Sequence, residues 1–294
     1  MISKGAPDEG KDKTFQQVNI AGYLNRIKPQ TRGDAVGVIL AQGSISDGRA
    51  GPGNIGGLST AELVRKARDD DRIKALVLRV DSPGGSDFGS ELVRRELELT
   101  RQAGKPVVVS MGDVAASGGY WISMAADQVL ADPATITGSI GVVGILPTAE
   151  GVVDKLDVRV AGAGTTWLVG AYDPRRAMDP RFEQLIQTVI SHFHGQFTTM
   201  VAKARQSTPE KIDAIAQGRV WSGQQALERG LVDRLGGLSD AVAEATRLCK
   251  LPAAALGLGG ALPAAAAQDL VWLAEAADRS KPLAASVHCL CTAP

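Results

Sequence analysis

The chain has 294 residues, 44% apolar and 22% charged, a balance ordinary for a globular protein that buries a good-sized core in one or two domains. Its 32 basic residues are matched by 32 acidic ones, so no basic footprint argues for nucleic acid or an anionic membrane surface, and a peptide or another neutral substrate fits better. The three cysteines, Cys249, Cys289 and Cys291, are too few for a disulfide framework, and even beside His288 they make a poor ligand set, so neither metal nor cofactor is expected.

Residues 1–33 are polar and carry Lys4, Lys11, Lys13 and Lys28. They contain neither the apolar core of a signal peptide nor a membrane span, and read as a linker. From Ala35 to Leu40 an apolar run predicts the first strand, followed by a turn-rich stretch from Gly43 to Gly57. A helix is expected over Ser59–Ala67, capped by Ser59 or Thr60, with Leu63, Val64 and Ala67 on its apolar face. Next come a strand over Ala75–Val80, a glycine turn (Asp81-Ser82-Pro83-Gly84-Gly85-Ser86) and a helix over Glu91–Gln102. After the Gly104-Lys105-Pro106 break, a strand over Val107–Met111 leads to a second glycine turn, Ala115-Ala116-Ser117-Gly118-Gly119-Tyr120-Trp121. A helix then runs to about Ala126, followed by a strand over Gln128–Ala131. This alternation predicts parallel strands with crossover helices.

The segment Thr135–Gly144 is small, β-branched and rich in glycine. It reads either as a strand edge able to pair with an extended peptide or as an ordinary interior strand. Phe182–Ala204 has the spacing of a long amphipathic helix, and Thr208-Pro209 caps and starts another. Gly218–Gly223 leads to a helix over Gln224–Arg229, and Gly230–Asp233 closes the domain. Residues 251–268 are uncharged and rich in Ala, Leu, Gly and Pro. Pro252 and Pro263 break any helix there, so a flexible linker is expected rather than a membrane span. A short helix is expected over Asp269–Asp278. The predicted organisation is thus a segment 1–33, a domain 34–249 and a linker with tail 250–294.

The two glycine turns follow buried strands and open helices, which leaves backbone N–H groups at the carboxyl ends of neighbouring strands free to receive negative charge. Ser117 stands at the head of its helix, with glycines behind it that leave room for a substrate carbonyl, and is the candidate nucleophile. The alternative is a plain N-cap serine. No histidine suits the role of base: His192 and His194 lie two apart on a predicted helix and so point different ways, and His288 is in the tail.

Asp81-Ser-Pro-Gly-Gly-Ser, Ala116-Ser-Gly-Gly-Tyr-Trp and Thr137-Gly-Ser-Ile-Gly-Val, in this order and spacing, resemble the signal peptide peptidase A (protease IV) family of serine proteases. The resemblance runs from about Val36 to Leu248, and is strongest to the C-terminal half of the tandem-repeat form, whose end the His288-Cys289-Leu290-Cys291 tail fits. It implies an α/β, ClpP/crotonase-like fold of repeated strand-strand-helix units around a parallel sheet. It also implies a serine-lysine dyad, with Ser117 as nucleophile, the N–H groups of Gly85 and Gly118 as oxyanion hole, and the Ser139 hydroxyl holding the lysine amine. For Ser139 a plain turn serine is the alternative. By the same resemblance the substrates are hydrophobic peptides such as cleaved signal peptides, the protein is a homo-oligomer, and its place is the periplasmic face of the inner membrane.

The base is where the chain departs from the short members of the family. There the lysine follows the segment equivalent to Leu156-Asp157-Val158, but here the loop Arg159–Pro180 holds Arg159, Arg175 and Arg176 and no lysine. A guanidinium stays protonated and cannot replace it. Lys155 precedes the loop and reads as a surface residue. In the tandem form the lysine belongs to the N-terminal half, so the base is expected from a lysine-bearing partner domain or chain. A non-catalytic scaffold or peptide-binding subunit is the alternative, and a crotonase-like acyl-CoA enzyme is a further one.

Overall fold

In the computed structural model the described residues are 2–3, 17–18, 34–251 and 270–273. The linker 252–268 and the tail bearing His288, Cys289 and Cys291 lie outside them. The strands are β1 (Ile2–Ser3), β2 (Gln17–Val18), β3 (Ala35–Gln42), β4 (Ser44–Ser46), β5 (Asn54–Gly56), β6 (Ile73–Ser82), β7 (Val107–Ala116), β8 (Gln128–Ala131), β9 (Ile136–Gly138), β10 (Val220–Ser222), β11 (Arg234–Leu235) and β12 (Leu270–Leu273). The helices are α1 (Gly57–Asp69), α2 (Asp87–Gln102), α3 (Gly118–Ser123), α4 (Glu150–Lys155), α5 (Pro180–Ala204), α6 (Pro209–Ile215), α7 (Gly223–Glu228) and α8 (Leu238–Leu248).

The main sheet has the order β10-β9-β7-β6-β3-β12, with β8 beside β7 and β11 beside β8. Every pairing in it is parallel except β10 with β9. This is the α/β, ClpP/crotonase-like architecture that the motifs imply. Two smaller pairings, β4 with β5 and β1 with β2, stand apart.

The central strands are apolar along their whole length because both faces are covered. Ile39, Leu76, Leu78, Val109 and Met111 pack with Leu63, Val64, Val93 and Leu97 of α1 and α2. On the opposite face Val36, Val38, Ala75, Val77 and Val108 meet Ala241, Val242 and Ala245 of α8. Tyr120, fully buried, donates from its hydroxyl to the Leu231 carbonyl at 2.8 Å and so ties α3 to the chain after α7.

Several sequence expectations are corrected. The N-cap of α1 is Gly56; Ser59 and Thr60 are buried inside the helix, and the Ser59 hydroxyl donates to the Gly56 carbonyl and accepts the Ala50 N–H from the preceding loop rather than an amide of its own helix. Helix α2 starts four residues before Glu91, because the Ser86 hydroxyl accepts the Gly89 N–H at 3.1 Å and caps it at Asp87. Helix α3 stops at Ser123, short of Ala126. Residues 270–273, expected in a short helix, form β12 instead and pair parallel with β3, where Leu-Val-Trp-Leu extends the sheet.

Of the two readings of Thr135–Gly144, free edge or interior strand, the interior one holds where the segment is a strand. Over Ile136–Gly138, β7 lies on one side and β10 on the other. Beyond Ile140 the chain differs: from Gly141 to Thr148 it makes no backbone-to-backbone hydrogen bond among the described residues.

Candidate active site

Strand β6 ends in the first glycine turn and β7 in the second, and an irregularity between them aims both. Val80 pairs with Met111, but Ser82 pairs with Ala115, so β7 bulges over Gly112–Val114. The Asp81 carboxylate holds the bulge by accepting the Val114 N–H at 3.1 Å.

Ser117 is the single residue between β7 and α3. Its φ of 51° and ψ of −117° are conformations that a side-chain-bearing residue adopts only at a cost of about 1–3 kcal/mol, and such strain collects at functional sites. The residue stands at the N-cap position, yet its hydroxyl makes no capping hydrogen bond. The backbone is instead pinned by the Ser117 N–H donating to the Gly138 carbonyl at 2.9 Å and by the Trp121 N–H donating to the Ser117 carbonyl at 2.8 Å. The half-buried side chain is left unengaged at the sheet's carboxyl end.

The first glycine turn lies directly against this serine. A Cβ added to Gly84, whose φ is +106°, would come within 2.7 Å of the Gly118 nitrogen and 2.8 Å of the Ser117 Cβ. The Gly84 carbonyl accepts the Ile45 N–H at 2.9 Å, and the Ile45 carbonyl accepts the Ser86 N–H at 2.9 Å. In a trans peptide C=O and N–H point opposite ways, so the Gly85 N–H faces away from Ile45. Neither this amide nor that of Gly118 donates to an acceptor among the described residues. Any side chain at Gly118 would meet the Ser90 hydroxyl at 2.5 Å.

Ser139 also has a positive φ, 49°. It follows Gly138, which holds the Ser117 amide, and its own N–H donates to the Arg219 carbonyl at 2.8 Å. The Trp221 ring packs on Gly138. The stretch 218–223 thus supplies no side chain to Ser117 but carries the turn beside it. Neither this support nor the Ile45 anchor left a local signal in the sequence, since each joins segments about 40–80 residues apart through backbone groups.

Among the described residues no lysine amine bonds Ser117. Lys155, at the end of α4, is exposed. Burial lowers the Lys105 ammonium below its ordinary range. Its amine, however, donates to the carbonyls of Ala67 at 3.2 Å and Asp70 at 2.7 Å. It precedes the ten-residue β7, which puts about 33 Å of strand between it and Ser117. In the loop after α4, Arg175 pairs with Asp173 and is held even more firmly protonated by that hydrogen bond. His194 bonds Asp213 at 2.8 Å and His192 bonds Gln196 at 2.9 Å, on different faces of α5.

Comparison with known proteins shows the family. The model of peptidase family S49 matches residues 99–252, just over half of the chain. The chain belongs to peptidase family S49. It resembles "Protease 4" of Salmonella typhi, with 49% identity over 223 residues that cover 76% of this chain and 36% of that protein. It also resembles "Protease 4" of Haemophilus influenzae, with 41% identity over 246 residues, covering 82% and 40% respectively. The chain therefore spans well under half the length of these curated relatives. Among solved structures, a point mutant of ClpP1 from Listeria monocytogenes aligns with 70% of this chain and 94% of its own, at TM-score 0.45 and 13% identity. No helix among the described residues of this S49 chain is long and apolar enough to cross a membrane.

Proposed function

We propose that this chain is the serine-bearing part of a serine-lysine endopeptidase. The observation that carries the reading is Ser117, held at positive φ with its hydroxyl unengaged and the Gly84-Gly85 turn packed against it. A lysine amine takes the Ser117 proton as the oxygen attacks a peptide carbonyl. The oxyanion is received by the N–H groups of Gly85 and Gly118, the proton passes to the departing amine, and water hydrolyses the acyl-enzyme. Ser139, whose hydroxyl has no partner among the described residues, holds the incoming amine. The backbone from Gly141 to Thr148, free of backbone partners, suits an extended peptide added as a strand. Its apolar side chains Val143 and Ile145, 84% and 83% exposed, suit hydrophobic sequences such as cleaved signal peptides.

The base comes from a lysine-bearing N-terminal repeat or another copy or chain. Exposed Val152, Leu156, Trp167 and Val169 give that neighbour, and a homo-oligomer, an apolar face to cover. Such an assembly works at the periplasmic face of the inner membrane, a reading that the family resemblance supports. The domain 34–249 carries the serine side of the site, with 1–33 and 250–294 as flanking segments. The lysine-free loop Arg159–Pro180 favours one second reading, a non-catalytic peptide-binding subunit. Membership of a peptidase family weighs against acyl-CoA chemistry.

The test is the intact mass of the chain after exposure to a fluorophosphonate, alone and mixed with a lysine-bearing N-terminal repeat, with Ser117→Ala as control. Labelling at Ser117 only with the repeat supports the split dyad. Labelling of the chain alone means that it carries its own base. No Ser117-dependent labelling in either case leaves the non-catalytic subunit.

A further inference from the structure

Ser82 is fully buried, and nothing in the reaction just described uses it. Its hydroxyl accepts the Gly84 N–H at 3.1 Å. Ser82 also backs the second glycine turn: a Cβ at Gly119 would meet the Ser82 carbonyl at 2.8 Å and its Cβ at 3.3 Å. The residue therefore touches both halves of the site without facing substrate.

The turn is anchored on the Ile45 backbone through the Gly84 carbonyl and the Ser86 N–H, and Ser82 adds the tie at the Gly84 N–H. Gly84 and Gly85 have φ of +106° and +150°, in a region glycine enters freely and also leaves freely. The only ties on the Gly84 peptide groups among the described residues are two: the Ile45 N–H on the Gly84 carbonyl, and the Ser82 hydroxyl on the Gly84 N–H. The first sets the plane of the peptide bearing the Gly85 N–H, and the second sets the plane before it. Together they fix both peptides that flank Gly84.

We infer that Ser82 is a positioning residue of the oxyanion hole, its hydroxyl locking the Gly84-Gly85 turn so that the Gly85 N–H is aimed at the oxyanion rather than averaged over orientations. Preorganised donors are effective because they need no reorientation as charge develops, and loss of one donor outright costs about 10²–10³-fold in rate. Loosening a donor without deleting it costs less, about tenfold. The inference rests on the reading of Ser117 as nucleophile.

The experiment compares wild type, Ser82→Ala, Ser82→Thr and Ser110→Ala in whichever state of the wild type is labelled by a fluorophosphonate, alone or with the lysine-bearing repeat. Ser110 is equally buried and bonded, accepting the Arg79 guanidinium at 2.8 Å, but lies mid-strand, so it reports what a lost buried hydroxyl does to the fold. The readouts are the limiting labelling rate at saturating probe, the probe concentration for half that rate, and the melting temperature. Support is a limiting rate about tenfold lower in Ser82→Ala with half-saturation within twofold, the rate unchanged in Ser110→Ala at a similar melting temperature. Partial recovery in Ser82→Thr, which restores the hydroxyl, adds to it. An unchanged limiting rate in Ser82→Ala, or an equal fall in Ser110→Ala, overturns the positioning role while leaving Ser117 standing. A wild type that is never labelled overturns the nucleophile reading and this inference with it.

Discussion

Gly84→Ala separates backbone strain from steric overlap at the site. At φ +106° any side chain pays a conformational penalty of about 1–2 kcal/mol. The methyl group would also fall 2.7 Å from the Gly118 nitrogen, 2.8 Å from the Ser117 Cβ and 3.0 Å from the Ala116 carbonyl oxygen. None of these is the free end of a flexible side chain, so one turn must move off the other, an overpacking cost of about 1–3 kcal/mol. Gly104→Ala is the control: its φ is +84°, but nothing lies within 4 Å of the added carbon, so it carries strain alone. The expected excess loss in Gly84→Ala is about 2 kcal/mol, or a melting temperature about 4–8 °C below that of Gly104→Ala for a domain of this size. Thermal unfolding by circular dichroism measures it. Equal melting temperatures for the two variants would refute the claim that the glycine turns are in contact.

Ser117→Gly is expected to be more stable than Ser117→Ala by about 1–2 kcal/mol, since φ 51° suits only the glycine; denaturant titration checks it, and the reverse order would mean that Ser117 is not strained. Tyr120→Phe leaves the buried Leu231 carbonyl without its donor and is expected to cost about 1–3 kcal/mol. Burial pushes the Tyr120 hydroxyl up to about 12, so the neutral ring's contribution is complete below the ordinary tyrosine range near 10. It is lost as pH rises through 10 towards 12, and Tyr120→Phe, measured by melting at pH 8 and 11, should flatten that decline. Glu96 is nearly buried, at 2.5 Å from Arg65 and 2.6 Å from Arg68. Desolvation opposes its ionisation, but the hydrogen bonds from the two arginines outweigh it and hold the carboxyl below its ordinary range. Its stabilisation is therefore present above the ordinary glutamate range near 4.3 and is lost as pH falls below it. The difference in melting temperature between wild type and Glu96→Gln should shrink from pH 7 to pH 3.

The chain's own letters determine a good deal here. Strand β8 falls on Gln128–Ala131 as its apolar run indicates, and α6 starts at Thr208-Pro209 because a hydroxyl cap and a proline at the first helical position act within one turn. The glycine motifs mark the two turns, and the missing lysine of Arg159–Pro180 is plain from composition. Such features are decided by residues within a few positions of one another, so a linear reading reaches them. Other features needed tertiary structure. The cap of α1 moved to Gly56, Leu270–Leu273 became a strand on the edge of β3, and β10 closed the edge of β9. The site followed the same rule: the sequence pointed to Ser117, but its pinning through the Gly138 carbonyl, the Ile45 clamp on the Gly84 turn and the Arg219 hold on Ser139 join distant segments through backbone N–H and C=O groups. Those groups are the same in every residue, so no side-chain pattern records them, and only the folded chain decides which meet.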